Sequence, residues 1–222
     1  MNEKFFALPI EKQQRILDAA YQIFSQSSYK GASMSEIASN AGISKALLFH
    51  YFTNKKELYL YLWNNALELT RKAVSDYRVL ETDDFFEMLH RSLLAKCSVM
   101  AKYPSISAFS LNAYYEQYPE IKEAIGESFL QASQTSEKLV LAAINTSALC
   151  RDIDAKAMYE EIYYAMDGYM LKKYRSGRVD PDEVEKEIAV LINLWRTIYP
   201  SAFMRRPSTR ISPFLSVVNT CS

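Results

Sequence analysis

Ser33-Met34-Ser35-Glu36-Ile37-Ala38-Ser39-Asn40-Ala41-Gly42-Ile43-Ser44-Lys45-Ala46-Leu47-Leu48-Phe49-His50-Tyr51-Phe52 is the stretch on which the fold turns. Ser33 followed by Glu36 is a capping box, in which a hydroxyl and a carboxylate satisfy the free N–H groups of a helix start. The helix it opens runs to about Ala41. Gly42 then supplies the positive φ that ends a helix, Ile43 turns back toward a core, and Ser44 caps a second helix from Lys45 to about Tyr51. Helices this short are unstable alone, so a scaffold must hold them. Ile37, Ala38, Ala41, Ile43, Leu48 and Phe52 are spaced to pack against Ile16, Ala20 and Phe24 of a preceding helix, predicted over 9–27 with Pro9 in the first turn. Three helices so arranged form a helix-turn-helix head.

Outward from this head the punctuation continues to mark helices. Asn54 with Glu57 is another N-cap pair and opens a long helix to about Val79. Further helices are predicted over 83–102, 104–116, 119–145, 154–176 and 181–199; Pro104, Pro119 and Pro181 stand at three of the starts, and Gly177 follows one end. No strand is indicated. The expectation is an all-α chain with an N-terminal three-helix helix-turn-helix head (1–55), a larger helical body (56–200) for ligand binding and dimerisation, and a tail (201–222) without periodicity.

Composition supports this. Of 222 residues 49% are apolar, too many for a disordered chain, and 5 Gly with 7 Pro are too few for the turns of a sandwich or barrel. The longest stretch free of charge, 103–115, is too short for a membrane span of roughly 20 residues. The apolar run 5–10 is too short for a secretory signal. Cys97, Cys150 and Cys221 are widely spaced and make no CxxC pair, which reads as free thiols in a reducing cytoplasm. Neither a cofactor nor a metal is implied. Glu87 and His90 form an E-x-x-H, but a di-metal carboxylate bundle needs two such motifs and the chain has two histidines in all. No nucleophile elbow, P-loop or dinucleotide fingerprint is present, so an enzyme is not expected.

The helix Lys45 to Tyr51 leaves Lys45, Leu47, Phe49 and His50 on the face that would enter a major groove. Lys55 and Lys56 stand at a helix N-terminus, where positive charge opposes the helix dipole. They read either as solvated lysines or, with the unpaired N–H groups of that end, as a phosphate site. His50 likewise reads as a capping or solvated imidazole, or as a contact to phosphate or base.

Ile37-Ala38, Ala41-Gly42-Ile43-Ser44-Lys45, Leu48-Phe49-His50-Tyr51-Phe52, Lys55 and Glu57-Leu58, with Ile16-Leu17-Asp18-Ala19-Ala20 and Phe24 upstream, resemble the DNA-binding signature of the TetR-like transcriptional regulators. The resemblance covers about 50 residues; beyond them it is one of length and helical layout. It implies a homodimeric repressor on a palindromic double-stranded operator, released by a small, largely apolar or aromatic effector. By position, Ser33 and Ser35 would lie near phosphates or a base edge, Ser44, Lys45, Leu47 and His50 on the recognition helix, and Tyr51 and Lys55 at the backbone. Phe49 stands where the family usually has Tyr, which removes a phenolic hydrogen bond, and Ala46-Leu47 replaces a common Gly-Thr pair. A helical binding or scaffold protein without DNA is the alternative.

Of the 16 Tyr, 13 lie in the body, where buried hydroxyls need partners. An apolar pocket with a few polar groups suits a small molecule, and Met88, Arg91, Phe109, Asn112, Tyr115, Phe129 and Tyr163 are its expected lining. Ile162, Met166 and Tyr169 form one stripe, Leu191, Ile192 and Trp195 another; each fits a dimer surface or an internal core, and the resemblance favours the dimer. Net charge is zero, yet residues 1–60 carry 7 Lys and Arg against 5 Asp and Glu, while 61–200 carry 16 against 21. Neutrality therefore conceals a basic head on an acidic body.

Overall fold

The computed structural model describes residues 3–146, 153–177 and 179–199. Every regular element among them is helical: α1 (Glu3–Phe6), α2 (Ile10–Gln26), α3 (Met34–Asn40), α4 (Lys45–Tyr51), α5 (Lys55–Asp76), α6 (Phe85–Lys102), α7 (Pro104–Tyr114), α8 (Pro119–Ala143), α9 (Ala155–Arg175) and α10 (Pro181–Ile198). The tail 201–222, Cys150 and Cys221 lie outside the described residues.

The caps set the boundaries. Ser33 Oγ accepts from the N–H groups of Ser35 (3.2 Å) and Glu36 (3.4 Å), Ser44 Oγ from Leu47 N (3.1 Å), and Asn54 Oδ1 from Glu57 N (2.8 Å). Glu57 answers by accepting from Thr53 N at 2.6 Å. Asp84, Asp154 and Asp180 cap α6, α9 and α10 in the same way. Gly42 sits at φ 66°, which lets Ile43 N reach Ala38 O and Gly42 N reach Ser39 O, each at 3.0 Å. That pair of bonds is a Schellman motif, and it fixes the turn between α3 and α4.

Ile16, Ala20, Phe24, Ile37, Leu48 and Leu58 are fully buried in the head, each large one contributing about 1.5–3 kcal/mol. Two features differ from the sequence expectation. The turn α1 was not foreseen; it exists because Phe5 is buried against Phe52 (5.0 Å between ring centres) and Tyr51 (6.1 Å), a tertiary contact without a local pattern. The head's core also does not stop at residue 55. Leu58, Tyr59, Leu62 and Trp63 of α5, Phe109 and Ala113 of α7, and Ile121 and Ile125 of α8 belong to it.

A second core, at the far end of the body, joins Phe85, Met88, Leu93 and Cys97 of α6 to Met158 and Ile162 of α9 and Val184, Ile188, Ile192 and Trp195 of α10. This corrects the expected dimer stripes. Ile162, Ile192 and Trp195 are only 1%, 3% and 5% exposed within the single chain, so a partner has almost nothing of them left to cover. Met166, Tyr169 and Leu191 are half-buried at the edge of that core. Tyr169 donates to Glu187 at 2.8 Å, as does Lys173, tying α9 to α10 inside the chain. The apolar side chains that do face outward here are Tyr164, Val190, Leu194 and Ile198.

Candidate nucleic-acid interface

α3 and α4 present one continuous outer surface. Ser35 lies exposed in the first turn of α3, with Ser33 half-buried at its cap. On α4, Ser44, Lys45, Ala46, Phe49 and His50 are exposed. Leu48 is buried beneath them and Leu47 packs partly against the same core. The Lys45 ammonium lies 6.0 Å from the centre of the Phe49 ring, a loose cation–π distance that leaves it reachable by a phosphate. The Tyr51 ring faces the other way, buried beside Phe5 and edge-on to His50 at 5.8 Å. Tyr51 therefore orients α4 from beneath.

The two lysines at the start of α5 part company. Lys55 Nζ donates to Ala32 O at 3.0 Å and Lys30 O at 3.3 Å and lies 4.8 Å from the centre of the Tyr29 ring. Burial holds its pKa below the ordinary lysine value. Its charge is thus fixed one residue before the Ser33 cap, where it adds to the positive end of α3. Lys56 instead pairs with Glu120 of α8 at 2.9 Å. Only Lys55 of the two faces the head's own turn.

Of the seven expected pocket residues, the structure brings three together. Tyr115 lies beside Tyr114 (4.8 Å between ring centres), which is 4.6 Å from Phe129, and Tyr163 is a hydrogen-bond neighbour of Tyr114. Tyr114 donates to Asp167 at 3.0 Å, and Tyr115 lies 4.5 Å from Tyr174. Burial first, and Asp167 second, push Tyr115 and Tyr163 up to about 12. The other four lie elsewhere. Met88 is buried in the far core. Arg91 is held at 2.9 Å by both Glu87 and Arg78 O. Phe109 is fully buried in the head's core, against Tyr21, Phe24 and Tyr59 at 5.4, 6.2 and 4.9 Å. Asn112 Nδ2 donates to Ser25 O at 2.8 Å. Phe109 and Asn112 are joint residues: they dock α7 onto the C-terminal end of α2.

The joint has further members that sequence reasoning missed. Glu116 accepts from Tyr29 N at 2.7 Å, and Trp63 Nε1 donates to Ser128 at 3.0 Å. Their signal is faint, because a single Glu in an acidic body has no local pattern. A cleft of about 140 Å³ lies between α8 and α9, bordered by Ser133, Glu137, Tyr159, Glu160, Tyr163 and Tyr164.

Residues 16–62 match the family described as bacterial regulatory proteins, tetR family. That stretch spans most of α2, all of α3 and α4, and the start of α5. Among curated relatives, the tetR-like chain is 33% identical over 89 residues to the uncharacterized HTH-type transcriptional regulator YhgD of Bacillus subtilis, covering 40% of this chain and 46% of that one. It is 31% identical over 98 residues to the HTH-type transcriptional regulator RutR of Escherichia coli, covering 43% and 44%. The match spans about half the length of these relatives. Among solved structures, the transcriptional regulator FadR of Bacillus subtilis, in complex with stearoyl-CoA, superposes with a TM-score of 0.64 at 16% identity, over 81% of this chain and 96% of that one. At that identity the likeness establishes the all-helical fold and nothing more.

Proposed function

We propose that this chain is a DNA-binding transcriptional regulator, and that it represses from a palindromic operator until a small, largely apolar or aromatic effector binds the body. The observation that carries the reading is the Gly42 turn, which holds α4 on a closed core with Lys45, Phe49 and His50 facing outward. Lys45 would meet phosphate, His50 a phosphate or base edge, and Leu47 a thymine methyl. Ser33, Ser35 and Ser44 would stand by the backbone, while Lys55 supports the α3 end from within.

Two heads about 34–36 Å apart would match successive major grooves, which requires a homodimer. The outward stripe of Val190, Leu194 and Ile198 on α10 is the face proposed for it. The body reading rests on the tyrosine-rich space between α7, α8 and α9. FadR, which has this fold, was solved in complex with stearoyl-CoA, and a ligand with a large apolar part is the kind proposed for the body here. None of the described helices is long and apolar enough to cross a membrane, and work in the cytoplasm fits the reading.

The test begins with selection of bound duplexes from a random DNA library. One palindromic sequence is expected to be enriched. Lys45→Ala should weaken binding to all sequences and reduce the slope of log affinity against log salt by about 1. His50→Ala should change the preference at one base position, by about 1–3 kcal/mol. Absence of any enriched duplex, or unchanged binding in both variants, would overturn the reading.

A further inference from the structure

We infer that Lys96 is the counter-charge for an anionic group on the body's effector. The inference rests on reading the body as an effector-binding unit and names the chemistry of what it binds.

Lys96 stands on α6 with Phe85, Leu89, Ser92, Val99 and Met100 on its own face, at the helical spacings that place side chains together. All five are buried or half-buried. Phe85 lies 6.3 Å from Tyr159, so this face looks toward α9 and not toward the outside. Lys96 itself is exposed, while the protein atoms crowded around it push its ammonium below the ordinary lysine range. Both hold together if the solvent it meets lies within the body.

The packing agrees. α6 rests against α5, α7 and α10, while α8 and α9 touch each other sparsely. From Gly126 to Ala143 of α8, and from Tyr163 to Arg175 of α9, not one described residue is buried. A close-packed bundle buries a face of each helix on every turn. Here Val140 and Leu141 of α8 and Met166, Tyr169 and Met170 of α9 pack only partly against the second core, and the cleft beside Tyr159 and Tyr163 lies between the two helices.

Among the described residues Lys96 has no hydrogen bond or ion pair, and the titratable group that acts on it is its neighbour Cys97. An unpaired interior ammonium is unfavourable. The arrangement becomes favourable when a ligand brings the missing negative charge, in a charge-assisted hydrogen bond roughly twice as strong as a neutral one. The ligand class is a compact apolar or aromatic molecule carrying one carboxylate-like anion.

The probes are 8-anilinonaphthalene-1-sulfonate and N-phenyl-1-naphthylamine, the same rings with and without the anion. Full-length protein without DNA should bind both saturably. Lys96→Met should weaken the sulfonate about tenfold or more and leave the neutral dye within about twofold. Lys96→Arg should retain most of the sulfonate affinity. Because Lys96→Met removes an unpaired interior charge, it should also raise the melting temperature of the ligand-free protein. Equal losses for both dyes, an unchanged sulfonate affinity, no saturable binding to the wild type, or a fall in melting temperature in Lys96→Met would each overturn the inference. Operator binding measured on Lys96→Met separates the two proposals. Retained DNA affinity with unaltered sulfonate binding sinks this inference alone, whereas absent DNA binding in the wild type sinks the reading beneath it.

Discussion

The head and the body use aromatic residues in opposite ways. In the head, rings meet edge to face in a closed core: Phe24 and Tyr59 are 4.8 Å apart and perpendicular, and Phe109 of α7 packs against Tyr59 at 4.9 Å. The Tyr21 hydroxyl, buried there, donates to Leu62 O at 2.8 Å and accepts from Asn65. In the body, Tyr114, Tyr115, Tyr163 and Phe129 are half-buried; the Tyr114 hydroxyl bonds to Asp167 and Tyr163, the Tyr115 and Phe129 rings flank Tyr114, and Tyr163 borders the cleft between α8 and α9. Close packing suits a surface that must hold α4 in one orientation. Loose packing leaves room for a guest.

The largest effect that separates the two regions is a pair of matched truncations. Phe109→Ala should cost about 3–5 kcal/mol, since the ring is fully buried and its cavity cannot collapse. Phe129→Ala removes a ring only half-buried at the edge of the same core and should cost about 1–2 kcal/mol. Urea denaturation of both variants measures the difference. Equal losses would erase the distinction.

Glycines break the comparison differently, because the sign changes. Gly42 holds φ 66° with nothing near its missing Cβ, so Gly42→Ala should lose about 1–2 kcal/mol through backbone strain alone. Gly126, inside α8, has an ordinary helical backbone and equally open surroundings. Gly126→Ala should therefore gain about 0.5–1 kcal/mol. Thermal unfolding of the two variants in opposite directions is the expected result.

The sequence was most legible where a local signal decides local structure. Ser33, Ser44, Asn54, Pro104 and Pro119 fixed helix starts, and α4 runs over Lys45–Tyr51 as expected. The family resemblance on residues 16–62 carried the head's role. Legibility failed where two sites compete for one kind of residue. α10 is apolar on two sides, and periodicity alone cannot say whether Ile188, Ile192 and Trp195 or Val190, Leu194 and Ile198 face the chain's own core. Phe109 and Asn112 look like pocket residues from their types, but their partners are Phe24 and Ser25, more than 80 positions away.

Alkaline pH sharpens the same contrast. Tyr115 and Tyr163 are raised to about 12, by burial first, and Tyr21 and Tyr59 are raised further by burial in the head. A group whose folded pKa exceeds its unfolded value contributes fully below the unfolded one, near 10 for tyrosine. That contribution is lost as pH rises through the folded value. Stability should hold to about pH 10 and fall between there and about 12. Phenolate absorbance should show Tyr115 and Tyr163 ionising before Tyr21 and Tyr59. Asp167→Asn should bring the Tyr163 step to lower pH, because it removes the nearby negative charge; an unmoved step would detach Asp167 from this cluster.

The smallest effect lies on the seam between the regions. Lys56 and Glu120 are 2.9 Å apart and substantially exposed, so the pair contributes about 0.2–1 kcal/mol and less at high salt. Glu120→Gln should hardly move the melting temperature. Its consequence for the head is larger than its consequence for the fold. Lys56 is held by a carboxylate of the body, and removing that carboxylate frees one ammonium at the start of α5, beside the surface proposed to meet DNA. If Lys56 then reaches phosphate, operator affinity rises and the slope of log affinity against log salt steepens by about 0.9. An unchanged slope in Glu120→Gln would show that Lys56 belongs to the seam alone, and that the head's positive surface ends at Lys55.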